Sequence, residues 1–157
     1  MRTLKIDEDK ALELYPTASK ELKEIFHSTF GEDFFKPKSL FDKIKTYSDV
    51  CRELKEEEVT QDSFDCDLFT YKEIAQLIAF AKIKQIAKLF NRSWKVDLTD
   101  ENQKKWYPYF EIRSSGLGFN GSYYDNWCVD GQVAFYPNQK ISDFIGKTFI
   151  DIYKDLY

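Results

Sequence analysis

Apolar residues recur at three- and four-residue intervals from Leu22 to Phe90 and at two-residue intervals after Lys105, so the chain predicts helices first and strands later. In YPTASKELKEIFHSTFG, residues 15–31, the side chains Leu22, Ile25, Phe26 and Phe30 fall on one side of a helix of about 18–30. Thr17 stands as its cap and Gly31 as its stop. A short helix over 39–45 follows the KPK stretch. In YSDVCRELKEEE, Ser48 opens a helix of about 48–57 that places Val50, Cys51 and Leu54 together. The charged stretch before Tyr15 reads as partly extended, and acidic residues 58–69 read as a loop. The longest helix spans 70–91, opened by a Thr70–Glu73 capping box. Its apolar stripe runs through Ile74, Leu77, Ile78, Ala81, Ile86, Leu89 and Phe90.

In KWYPYFEIR the alternation puts Trp106, Pro108, Phe110 and Ile112 on one face and Tyr107, Tyr109, Glu111 and Arg113 on the other. Pro108 lacks a ladder donor, which assigns this strand to an edge. A turn at Ser114–Gly116 leads to a second short strand through Leu117 and Phe119, and GQVAFYP supplies a third. Ile141, Phe144, Ile145, Phe149 and Leu156 then line a helix of about 139–155, capped by Asn138. The expected fold is α+β: N-terminal helices, a three-stranded antiparallel meander and one long C-terminal helix packed on the sheet, in a single domain over 1–157.

Composition adds one unusual property. Aromatic residues make up 17% of the chain, so the core is expected to be built from rings. Net charge is −4, which weighs against a general nucleic-acid binder; residues 1–70 carry −6 and residues 71–157 carry +2, an asymmetry expected to let the two halves attract each other within the fold. Cys51, Cys66 and Cys128 form no CxxC pair, and the opening MRTLKIDEDK has no apolar run of a secretory signal. No stretch has the length of a membrane span. The reading is a reduced cytoplasmic protein with no membrane association.

The stretch GLGFNG, residues 116–121, spells a dinucleotide fingerprint. That motif needs a helix springing from the glycines to hold pyrophosphate, and SYYDNW is a poor helix start. The glycines are read as hairpin residues, and no cofactor is expected. The single histidine, His27, lies in a helix and lacks metal-ligand spacing to any cysteine. Asp65 and Asp67 flank Cys66 and would raise its thiol pKa rather than activate it. Acidic pairs such as Asp100–Glu101 fit no hydrolase pattern. No catalytic or metal-binding residue is assigned.

Two surface features carry a functional expectation. Lys84, Lys88, Arg92 and Lys95 line one side of the long helix and its exit, with no acid between residues 82 and 95. They form either a solvated helix face or a contact for phosphate or an acidic partner. Tyr107, Tyr109 and Tyr136 are expected on the sheet face opposite Trp106, Phe110, Phe119 and Phe135. If uncovered, that face is a surface for protein or bases; if covered, it is core.

The phrases ALELYPTASKELKEIFHSTFG, KWYPYFEI followed by SGLGF, and FIGKTFIDIYKDL are similar to a group of small uncharacterised proteins from Bacteroidetes bacteria and their phages and prophages. The resemblance spans most of the chain and is thinnest over 46–70. It implies the bacterial cytoplasm as the setting and transfers no functional residue. The leading expectation is a non-enzymatic domain that binds another protein. Nucleic-acid binding through the basic stripe with Tyr107 and Tyr109 comes second, and an enzyme of unrecognised type third.

Overall fold

A computed structural model describes residues 6–36, 39–64, 68–126 and 132–157. The fold is α+β, and the chain divides into two compact units, Met1–Ser39 and Leu40–Tyr157.

In the first unit, helix α1 (Glu8–Leu14) occupies the stretch expected to be partly extended. Asp7 explains the difference: its carboxylate accepts from the Lys10 amide at 2.8 Å, and Glu8 and Asp9 complement the helix dipole behind it. Helix α2 (Lys20–Phe30) starts after Ser19 rather than Thr17. Pro16 sits in a 3₁₀ turn, Tyr15–Thr17, and the Thr17 hydroxyl is turned back onto the Leu14 carbonyl. Ser19, extended and free of that turn, caps the Leu22 amide instead. Phe26 and Ala11 are buried, and Tyr15 stacks on Phe35 with centroids 4.1 Å apart.

The second unit is organised around α5 (Tyr71–Asn91), whose Thr70–Glu73 capping box forms as expected. Before it come α3 (Leu40–Lys43) and α4 (Tyr47–Leu54), the latter opened by a Thr46–Asp49 capping box. The buried side of α5 is broader than the expected stripe and includes Ala79, Ile83 and Ala87. It is covered by α4 on one flank and the C-terminal helices on the other.

Strands β1 (Lys105–Arg113) and β2 (Gly116–Asp125) form an antiparallel hairpin around a two-residue turn at Ser114–Ser115. Pro108 pairs with Ser122 and Phe110 with Phe119, so β2 carries one extra residue opposite Tyr109. Gly121, at φ 103°, occupies that bulge, where a side chain would be strained. The strand continues through it to Asp125. GLGFNG is therefore a bulged strand, without the strand–loop–helix geometry of a phosphate cradle.

Three expectations are corrected. Among the described residues the sheet has two strands; of the third expected strand, Gly131 lies outside them, and only Tyr136 pairs, with Trp106. Pro108 offers no donor at the next outward position on β1, and Pro137 directly follows Tyr136. The carbonyls of Val133 and Phe135 instead accept from the Lys84 ammonium at 2.6 Å and the Asn91 amide at 2.8 Å, tying the segment to α5. Second, the C-terminal helix is two helices, α6 (Gln139–Thr148) and α7 (Ile150–Lys154), broken at Phe149 with φ −113°. The break directs Tyr153 toward Phe110, with ring centroids 4.7 Å apart. Third, Phe135 lies against Tyr107, and Tyr136 takes the inward place, because a single bridge rather than a ladder sets the facing of this segment.

Helix α6 lies directly on the hairpin. The Ser142 hydroxyl, fully buried, bonds that of Ser122 at 2.7 Å, and Gly146 packs against Phe119 and Pro108.

Candidate functional site

The hydrogen-bonding sense of β1 follows from one pair. Trp106 and Tyr136 exchange both backbone bonds, at 3.1 and 2.7 Å, so the even-numbered residues of β1 aim N–H and C=O away from β2. The bulge lies in β2, so this sense holds to the hairpin turn. Pro108 therefore spends its missing N–H on the outer edge, at no cost to the hairpin. Beyond it, the outward backbone groups of Phe110 and Ile112 have no backbone partner among the described residues.

Beside this edge lies a cleft of about 550 Å³, within the size range of ligand sites. One wall is Pro108, Tyr109, Phe110 and Ile112 of β1, with Leu117. The other is the segment Gln132–Ala134 with Tyr153, Leu156 and Tyr157. The cleft exists because Lys84 and Asn91 hold residues 133–135 on α5, so the segment meets β1 only when it reaches Tyr136. Ile112 is 93% exposed. On the face away from α6, the half-exposed rings of Tyr109 and Tyr123 meet edge to face at 4.9 Å.

The expected binding residues separate. Tyr136 is fully buried, its hydroxyl 3.3 Å from that of Tyr153, and so belongs to the core rather than to a tyrosine face. Burial pushes both phenols up, Tyr153 to about 12. Tyr107 is half-buried with its ring against Phe135, while Tyr109 is exposed. Of the basic stripe, Lys84 donates to Val133 and Lys88 pairs with Glu56. Arg92 and Lys95 are exposed past the end of α5.

Glu56 belongs to a polar network under α4. Gln85 accepts from the Tyr47 hydroxyl and donates to Glu56 at 3.1 Å and to the Glu57 carbonyl at 3.2 Å. The buried Cys51 thiol is 3.9 Å from the same Gln85 oxygen. Burial raises the Tyr47 phenol as well. His27, in the first unit, bonds the Tyr15 hydroxyl at 2.6 Å. Cys66, Cys128 and the two aspartates beside Cys66 lie outside the described residues. Among the described residues no three potential ligands gather as a metal site, and no helix is long and apolar enough to cross a membrane.

Sequence reasoning missed Tyr123 and Ile112 as surface residues. The bulge at Gly121 decides the facing of Tyr123, and alternation alone groups Ile112 with the buried Pro108. It also missed Lys105, which is 1% exposed and donates to the carbonyls of Asp100, Gln103 and Asn126 at 2.9, 3.1 and 3.3 Å.

Compared with protein-family models, curated proteins and solved structures, the chain finds no match in any of the three.

Proposed function

We propose that this chain is a non-enzymatic domain that works by binding another protein, in the bacterial cytoplasm that the sequence resemblance implies. The observation that carries this reading is the exposed Tyr109–Tyr123 pair beside the apolar cleft on β1. Tyrosine is enriched where binding energy concentrates, because it buries a large rigid ring and keeps a polar tip. The cleft lining offers apolar and aromatic side chains, with Gln132 and the tyrosine hydroxyls as its polar side-chain groups. Such a lining suits recognition better than acid–base chemistry.

A nucleic-acid role draws less support. Two of the four stripe cations are held by internal partners, and Tyr136 is buried.

The test is chemical cross-linking in a lysate of the source organism, with the wild-type chain and with Tyr109→Ala/Tyr123→Ala. A defined protein captured by the first and lost by the second supports the reading, provided both melt alike. Equal capture by the two chains rejects it. Retention on single-stranded DNA that falls steeply with salt, and is lost in Arg92→Glu/Lys95→Glu, would put nucleic acid in its place.

A further inference from the structure

We propose that the outer edge of β1 takes up an extended, uncharged segment of a partner protein as an added strand, one apolar side chain of which drops into the cleft. The proposal rests on the protein-binding reading above and specifies how the partner is held.

Three observations converge on that occupant. Phe110 and Ile112 present outward N–H and C=O groups without backbone partners among the described residues, spaced two residues apart as a strand requires. The Trp106–Tyr136 bridge shows that this edge already pairs, and that pairing stops where Pro108 and the tethering of residues 133–135 stop it. The third observation is that, among the described residues, no Asp, Glu, Lys, Arg or His side chain lines the cleft. A charged segment there would lose hydration without gaining a counter-ion, so the chemistry selects neutral residues with apolar side chains at alternate positions. Edge strands are usually blunted by lysine, proline or a covering element; here Pro108 blunts the inner part, and the outer part ends in an exposed isoleucine.

Ile112→Pro is the discriminating variant. The Ile112 N–H points outward and takes no part in the hairpin, so proline removes the edge donor and leaves the β1–β2 ladder complete. Ile112→Ala removes the side chain and keeps the donor. The probe is a seven-residue peptide of alternating threonine and valine, titrated into the full chain while backbone amides are followed by NMR. The expected result is slowed exchange of the Phe110 and Ile112 amides by about tenfold or more in wild type. Ile112→Ala retains the Phe110 effect, and Ile112→Pro loses it.

A peptide N-methylated at alternate amides must fail to bind, as must one with glutamate in place of valine; these arms hold even if Ile112→Pro does not fold. Equal binding of the N-methylated peptide, or shifts confined to other residues, overturns the proposal. So does protection of the same amides by concentration-dependent dimerisation of the free chain, which assigns the edge to a second copy. If cross-linked protein is lost in Tyr109→Ala/Tyr123→Ala but kept in Ile112→Pro, strand addition falls and the protein-binding reading stands. If neither variant changes capture, both fall.

Discussion

The hydroxyls of Tyr136 and Tyr153 lie 3.3 Å apart in the core of the second unit, each within hydrogen-bond reach of the other. Removing either one strands its partner. Tyr153→Phe leaves a fully buried Tyr136 hydroxyl unpaired and is expected to cost about 1–2 kcal/mol in urea unfolding, whereas Tyr136→Phe/Tyr153→Phe recovers part of that loss. The pH dependence has a fixed sign. Burial raises the Tyr153 phenol from about 10 to about 12. The folded chain therefore holds the proton more tightly than the unfolded one. Stability is fully present below about pH 10 and is lost as pH rises toward 12. Tyr153→Phe must flatten that alkaline loss; an unchanged slope refutes the assignment.

How this pair came to face inward shows what the sequence could and could not tell. Helix positions were legible because capping and apolar spacing agreed, as at Thr70–Glu73 and Asn138. The inward turn of Tyr136 was not legible, because it depends on side chains of α5 holding the carbonyls of residues 133 and 135. A lysine and an asparagine on a helix carry no sign that they will capture a distant segment. The same bond engages Lys84 of the expected binding stripe, so one contact both draws the third segment toward α5 and occupies one of the four cations. The exposed part of the candidate site depends on the bulge at Gly121, which shifts every later side chain of β2 by one position.

Gly146 is a point of tight packing between α6 and the hairpin. A Cβ there would overlap the Phe119 ring and lie 2.8 Å from Pro108 Cβ. Gly146→Ala gains about 1 kcal/mol of helix propensity but forces a packed ring aside at a cost of roughly 1–3 kcal/mol. The expected net effect is a destabilisation of about 1 kcal/mol. In a Phe119→Leu background the ring overlap is relieved while the Pro108 contact remains, and the same change should cost less than in the wild-type chain. A stabilising Gly146→Ala in the wild-type chain would contradict the packing described for α6.

Lys105 pins the loop before β1 to the end of β2 by donating to three carbonyls from a buried position. Lys105→Met keeps most of the packing volume and removes all three bonds, with an expected loss of about 2–3 kcal/mol. Lys105→Arg should not rescue it, because a planar guanidinium does not match three acceptors converging on one point. Chemical denaturation of the three chains decides the matter, and a Lys105→Met chain as stable as wild type would show that the ammonium contributes nothing.

Asp49 is a site through which acid is expected to weaken α4. Its carboxylate accepts from the Lys45 amide at 3.0 Å and from the Thr46 amide and hydroxyl at 2.9 Å, with Arg52 alongside. These donors, the Lys45 N–H foremost, hold its pKa down to about 2, against about 3.9 in an unfolded chain. A depressed carboxylate contributes stability that is present above about pH 4 and is lost as pH falls through 2. Asp49→Asn lacks that contribution at every pH. The gap in urea midpoint between wild type and Asp49→Asn should therefore be widest near neutrality, narrow below about pH 4 and close near pH 2. A gap that stays constant across this range would mean that the charge of Asp49 does not stabilise the capping box, and that an uncharged amide serves the Lys45 and Thr46 amides equally well.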